Sequence, residues 1–228
     1  MHIALRPAGF IILAFLSIVN ISHAQIQPTQ DQINKFQQKI ATSMIESPPG
    51  SGNFVSKITL SIGDGDIIDA QCTILFPKSS WDLASIVADP TKTKLQQYQD
   101  VLNNTSSKIF AVFYLLIADP AVQATEINVN GLWRPFVGSE VHLQGRGIDI
   151  GYIRSLNGSG VIFNVDPEQT ESAFGAIVRK SLTSSYPLIN QYLCPWYMCD
   201  LPNDCTVNNG QTKNEKTHKN HLHLTLNP

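Results

Sequence analysis

Along residues 30–45, Ile33, Phe36, Ile40 and Met44 recur at three- and four-residue steps among mostly polar neighbours. That spacing predicts an amphipathic helix over 30–45, which Pro48-Pro49-Gly50 ends. The period then changes to two. Ile58, Leu60 and Ile62 alternate with Lys57, Thr59 and Ser61, and the alternation resumes after Gly63-Asp64-Gly65-Asp66 through Ile68, Ala70, Cys72, Ile74 and Phe76. A β-hairpin with one buried face is expected there. Leu95, Tyr98, Val101 and Leu102 predict a second helix. The apolar run Ile109 to Ala118 is too short for a bilayer, which needs about 20 residues, and reads as a buried core helix.

The second half continues with strands at Glu126 to Trp133 and Gly147 to Leu156. Asn157-Gly158 is a tight-turn signal into a further strand, Val161 to Val165. Asp166-Pro167-Glu168-Gln169 has the form of a helix start, with Phe174, Ile177, Val178 and Leu182 facing inward and an end before Pro187. A cysteine-rich loop and a closing strand, His221 to Leu226, complete the chain. Hairpin-neighboured strands with helices gathered elsewhere predict an α+β fold rather than a doubly wound sheet. No repeat or Ser/Pro-rich linker divides the chain, so residues 25–228 are expected to form one domain. Within it, 25–125 would supply helices and the hairpin, and 126–228 the second half of the sheet.

Length and composition agree with a packed domain: 228 residues, 25.1 kDa, 43% hydrophobic and 15% charged. A net charge of −2 with no basic block excludes nucleic-acid binding through a charged footprint. Residues 1–24 read as a signal peptide. Arg6 is their only charge, Gly9 to Ile21 is an apolar run, and Ser22-His23-Ala24 supplies small residues for cleavage. The polar Gln25-Ile26-Gln27-Pro28 that follows argues against an uncleaved membrane anchor. Loss of Arg6 takes the net charge from −2 to −3. The expected location is periplasmic or secreted, without stable membrane insertion after cleavage. In an oxidising compartment, Cys72, Cys194, Cys199 and Cys205 read as two disulfides, with Cys72 paired to one of the other three and the connectivity left open. Their spacing does not suit a zinc knuckle.

Histidine carries the chemistry. His142, His218, His221 and His223 are the four outside the leader. In His221-Leu222-His223-Leu224-Thr225-Leu226 the period of two puts the leucines on one face and both imidazoles on the other. Upstream, His142-Leu143-Gln144-Gly145-Arg146-Gly147-Ile148-Asp149 places Asp149 opposite Ile148 and Ile150, with two glycines permitting a tight approach. Two imidazoles, a carboxylate and an open fourth position suit a catalytic zinc. Trp133, Tyr152, Trp196 and Tyr197 are candidate cleft walls, against the commoner role of aromatic residues as core. Glu215 reads as a loop charge.

These residues resemble the zinc peptidases of peptidoglycan that share the lysostaphin, D-Ala-D-Ala carboxypeptidase and Hedgehog core. Their motifs are H-x-x-G-x-(A/D)-x-D and a C-terminal H-x-H. Here the first is His142 to Asp149, with Gly147 at the small-or-acidic position, and the second is His221 and His223. His218 extends it to H-x-x-H-x-H, the form closest to penicillin-insensitive murein endopeptidases. The resemblance covers roughly residue 126 to the end. It implies one zinc ion per chain on His142, Asp149 and His223, with His221 beside the metal-bound water and His218 assisting. It also implies that Arg134 faces the substrate carbonyl or carboxylate. Two positions depart from the pattern: Asn220 replaces the usual Glu general base, and Glu140 the usual Ser.

The expected architecture is an antiparallel sheet with the zinc site on one face and helices on the other, stapled by disulfides. The expected function is hydrolysis of an amide bond in peptidoglycan peptides, as an endopeptidase or a D,D- or L,D-carboxypeptidase. The alternatives are a catalytically silent zinc-containing protein that binds a peptide or partner, and a secreted cell-wall-degrading effector countered by an inhibitor or immunity protein.

Overall fold

The computed structural model describes residues 28–62, 68–77, 89–135, 139–165, 169–185 and 187–228. The signal segment at 1–24, the turn at 63–66 and the helix-start signal at 166–168 lie outside them.

Helix α1 (Gln30–Ser43) starts in a capping box, in which Thr29 and Gln32 each accept the other's backbone N–H. Ile33, Phe36 and Ile40 are buried, as the spacing requires. Met44 and Ile45 depart from the helical expectation: they open β1 (Met44–Glu46), which pairs antiparallel with β2 (Phe54–Ile62). The hairpin forms as expected between β2 and β3 (Ile68–Phe76), burying Ile58, Leu60, Cys72, Ile74 and Phe76. Helices α2 (Lys94–Asn104) and α3 (Ser107–Ala118) follow, and α3 is buried from Ile109 to Ala118. Among the described residues no single helix is long and apolar enough to cross a membrane.

Through this helical crossover, β4 (Ala124–Gly131) joins β3 in parallel, with Ile127 opposite Ile74. The short helix α4 (Glu140–Leu143) leads into β5 (Gly147–Ser155), antiparallel to β4, and β6 (Gly160–Ile162) folds back on β5. Helix α5 (Ala173–Thr183) begins at Ser172, whose hydroxyl accepts the Gly175 N–H. Phe174, Val178 and Leu182 face inward, but Ile177 is 41% exposed. The four-residue row 174-178-182 forms the contact ridge, and residue 177 falls at its flank.

The segment expected as a cysteine-rich loop is a meander of β7 (Ile189–Leu193), β8 (Tyr197–Asp200) and β9 (Cys205–Val207). After α6 (Lys213–Thr217), the last strand β10 (Leu222–Leu226) inserts between β5 and β7. The sheet order is therefore β1-β2-β3-β4-β5-β10-β7-β8-β9, with β6 paired to β5. The fold is mixed α+β on a mostly antiparallel sheet. Leu222, Leu224 and Leu226 enter one core cluster with Ile148, Ile150, Phe110, Val178 and Leu182.

One disulfide forms, between Cys199 and Cys205, directly opposite each other on β8 and β9 with Cα atoms 4.1 Å apart. The expected second bond does not: Cys72 and Cys194 are free and buried. Cys72 lies on β3 and Cys194 just beyond β7, with β4, β5 and β10 between them. Four strand spacings of about 4.8 Å hold them far outside the 4.4–6.8 Å Cα separation of a disulfide. Burial pushes the Cys72 thiol up to about 12 and the Cys194 thiol up to about 11.

Candidate metal centre

The centre of the sheet brings the two histidine motifs together. His223 on β10 sits opposite Asp149 on β5, one rung of an antiparallel ladder. The leucines flanking His223 are drawn into the core, so its ring is left on the other face with the Asp149 carboxylate. His142 arrives from α4. The turn from α4 to β5 passes through Gly145 at φ +68°, where a side chain would also collide with the Asn104 carbonyl. At Gly147 a Cβ atom would lie 3.0 Å from His142 Nδ1. Each glycine of the first motif thus has a separate reason.

His142, Asp149 and His223 are 3%, 7% and 6% exposed, and their ligand atoms converge in a geometry that could hold a metal ion. A second converging group, His218, His221 and His223, shares His223 with the first. Burial disfavours the Asp149 charge, yet the hydrogen bonds and charges of His142 and His223 outweigh it and hold the carboxyl well below the usual range.

Hydrogen bonds assign the imidazole nitrogens. His142 Nδ1 donates to the Leu132 carbonyl at 2.8 Å, so Nε2 carries the lone pair of the neutral ring. That carbonyl is free because β4 ends at Gly131, two residues before the end expected from sequence. His223 Nε2 contacts Thr225 Oγ1 at 3.1 Å, and its Nδ1 lies 2.7 Å from Asp149 Oδ1. A neutral ring protonated at Nε2 sets a lone pair against a carboxylate oxygen, and only a proton or a cation between them satisfies both. The donor set of two imidazole nitrogens and a carboxylate therefore fits a divalent metal.

Arg134 reaches the same place. Its Nη2 donates to Asp149 Oδ2 and lies 3.2 Å from His142 Nε2, so a guanidinium already meets two of the candidate ligand atoms. Its backbone N–H is held by the His142 carbonyl at 3.2 Å.

Around this core lies a cleft of about 430 Å³ lined by Arg134, His142, His218, His221 and His223 among others. His221 Nδ1 donates to Asn220 Oδ1 at 2.8 Å, leaving Nε2 as the basic atom, 3.5 Å from Asp149 Oδ1. His218 Nδ1 donates to the Asn214 carbonyl at 2.9 Å. Burial, then the neighbouring His223 charge, pushes the His218 pKa down to about 4. Burial lowers His221 as well, against the pull of Asp149. All six histidine, aspartate and arginine candidates thus meet in one place. Glu140 and Ser139 line the same cleft.

Other expectations fare differently. Trp133, Tyr152, Trp196 and Tyr197 do not line the cleft. Trp133 donates to the Leu143 carbonyl, Tyr152 donates to Glu126, Trp196 donates to the Gln169 carbonyl, and Tyr197 lies beneath Arg179. Glu215 is more than a loop charge. It forms the capping box of α6 with Thr212 and accepts the N–H groups of Gln211 and Thr212, fixing the helix that ends in His218. A larger groove of about 830 Å³ runs over Lys57, Gln71 and Pro120, away from the histidines. Gln191 and Thr225, which no expectation from the sequence includes, also line the cleft. Thr225 was findable, two residues from His223 on the same strand face; Gln191 needed the strand register.

No family model, curated protein or solved structure matches this chain.

Proposed function

We propose that this chain is an exported zinc metallopeptidase that hydrolyses an amide bond in peptidoglycan peptides. The observation that carries the reading is the convergence of ring nitrogens of His142 and His223 with the buried Asp149 carboxylate, at the floor of a cleft edged by His221, His218 and Arg134. Zinc held by His142, Asp149 and His223 would polarise the scissile carbonyl and lower the pKa of a water to about 7.

The remaining work falls to the side chains. His221 Nε2 takes the proton of the attacking water and returns it to the leaving amine. Asn220, where the peptidases this chain resembles have Glu, cannot serve as the base; here it accepts from His221 Nδ1 and turns the basic nitrogen into the cleft. His218 lies against His221 with ring centroids 5.3 Å apart and shapes its surroundings. The Arg134 guanidinium supplies a cation for the oxyanion that develops on the substrate. In this reading the zinc site occupies one face of the sheet, and α1, α3 and α5 back the other; α4 and α6 flank the site itself.

One observation favours a second reading, a silent metal- or peptide-binding protein of the same fold. Arg134 is engaged on Asp149 and His142 rather than free for substrate. Digestion of purified sacculi by zinc-loaded and chelator-stripped protein separates the two, with muropeptide products analysed by mass. Metal-dependent cleavage supports the peptidase. Zinc binding with no product from any wall substrate supports the silent protein.

A further inference from the structure

Beyond the three candidate ligands, the strands hold a chain of side chains that none of the motifs includes. Thr225 on β10 is directly opposite Gln191 on β7, and Gln191 is directly opposite Asp200 on β8. His223 precedes Thr225 by two residues and so shares its face. Three hydrogen bonds run along this line. Gln191 Nε2 donates to Asp200 Oδ1 at 2.6 Å, Thr225 Oγ1 donates to Gln191 Oε1 at 3.0 Å, and His223 Nε2 meets Thr225 Oγ1 at 3.1 Å.

Each link has one direction. A carboxylate only accepts, so Asp200 orients the Gln191 amide with nitrogen toward itself and oxygen toward Thr225. That oxygen takes the single hydroxyl proton of Thr225. The hydroxyl then has only lone pairs left for His223, and the imidazole must donate from Nε2. The ring's other nitrogen, Nδ1, is left facing Asp149 Oδ1.

We propose that Asp200, Gln191 and Thr225 form a positioning relay that locks His223 with its proton on Nε2 and presents Nδ1 to the metal. This rests on the metal-binding reading above and adds residues to it. Thr225 is 4% exposed, so no water replaces its hydroxyl cheaply. Partners of this kind orient a ligand imidazole and raise its basicity, and their loss typically weakens metal binding about 10- to 100-fold.

The test is zinc affinity, read by competition with a chromogenic chelator, for the wild type, Thr225→Val, Thr225→Ser and Gln191→Met. Valine keeps the shape of threonine and removes both hydrogen-bonding functions. Thr225→Val should bind zinc about 10- to 100-fold more weakly, Gln191→Met should be weakened in the same direction, and Thr225→Ser should lie within about threefold of wild type. In the zinc-loaded wild type, nitrogen-15 NMR should show a hydrogen-bonded His223 Nε2–H whose resonance moves in Thr225→Val and returns in Thr225→Ser. Unchanged affinity and an unchanged Nε2–H signal in folded Thr225→Val would overturn the relay while leaving the metal site intact. Should Thr225→Val not fold, Gln191→Met at wild-type affinity overturns it equally. A wild type that binds no zinc removes the metal reading itself, and the relay with it.

Discussion

His223 Nδ1 and Asp149 Oδ1 face each other at 2.7 Å across a single rung of the β5–β10 ladder. Seventy-four residues separate the two in the chain, and antiparallel pairing alone brings them into register. The rung lies in the middle of the sheet, flanked on both sides by paired strands, so neither backbone can move without breaking ladder bonds. A ligand pair on such a support is held more rigidly than one on loops.

Metal binding should follow that geometry. One zinc per chain is expected by elemental analysis, and His142→Ala, Asp149→Ala and His223→Ala should each abolish it, since two remaining ligands rarely retain the ion. His218→Ala should keep the zinc. Loss of metal in His218→Ala with retention in His142→Ala would shift the site to the His218, His221 and His223 group.

Arg134 should behave in the opposite sense. Its guanidinium meets Asp149 Oδ2 and His142 Nε2, two atoms that the proposed metal would use, so two cations would compete for them. Arg134→Met should bind zinc at least as tightly as wild type while losing turnover on wall substrates. A variant with weaker zinc binding would show that Arg134 supports the site instead of competing for it.

The general base is a separate matter from the metal. His221→Ala should retain zinc and lose roughly a hundredfold or more in cleavage rate, within the range that acid–base catalysis contributes. The comparison is a sacculus digest at matched zinc content. Equal turnover by His221→Ala would remove His221 from proton transfer.

Thiol chemistry distinguishes the pairing found here from the two-disulfide expectation. With Cys72 pushed up to about 12 and Cys194 up to about 11, both thiols stay protonated at pH 8 and resist alkylation in the native protein. Reactivity should rise only as pH approaches those values. Unfolding without reductant should expose two thiols of four to label, counted by mass spectrometry. No label after unfolding would restore a second bond.

Gly145→Ala tests the turn that delivers His142. At φ +68° an L side chain is strained, and its Cβ would strike the Asn104 carbonyl, two residues before Ser106, whose N–H donates to the Gly145 carbonyl at 2.9 Å and ties the turn down. A loss of about 1–3 kcal/mol is expected, which for a chain of this size lowers the melting temperature by roughly 2–4 °C per kcal/mol. An unchanged melting temperature would mean the turn relaxes freely.

Local pattern alone was enough for α1, the β2–β3 hairpin, the buried α3 and the face of β10 on which His223 stands opposite the leucines, although His221 precedes the strand, which begins at Leu222. In each, neighbours in sequence are neighbours on the same surface, and a period of 3.6 or 2 is written directly into residue type. The histidine and aspartate candidates were legible for the same reason, because lone-pair-bearing side chains on one face of a leucine-backed strand have few other uses. Register was not legible. That β10 enters between β5 and β7 decides which carboxylate His223 meets, that Thr225 and Gln191 pair, and that Cys72 stays four strands from Cys194. The β7–β8–β9 meander escaped as well, because Asn190, Gln191 and two prolines, Pro195 and Pro202, mask its alternation. Strand order depends on contacts between residues tens of positions apart, and no local period encodes such contacts; only the packed sheet does.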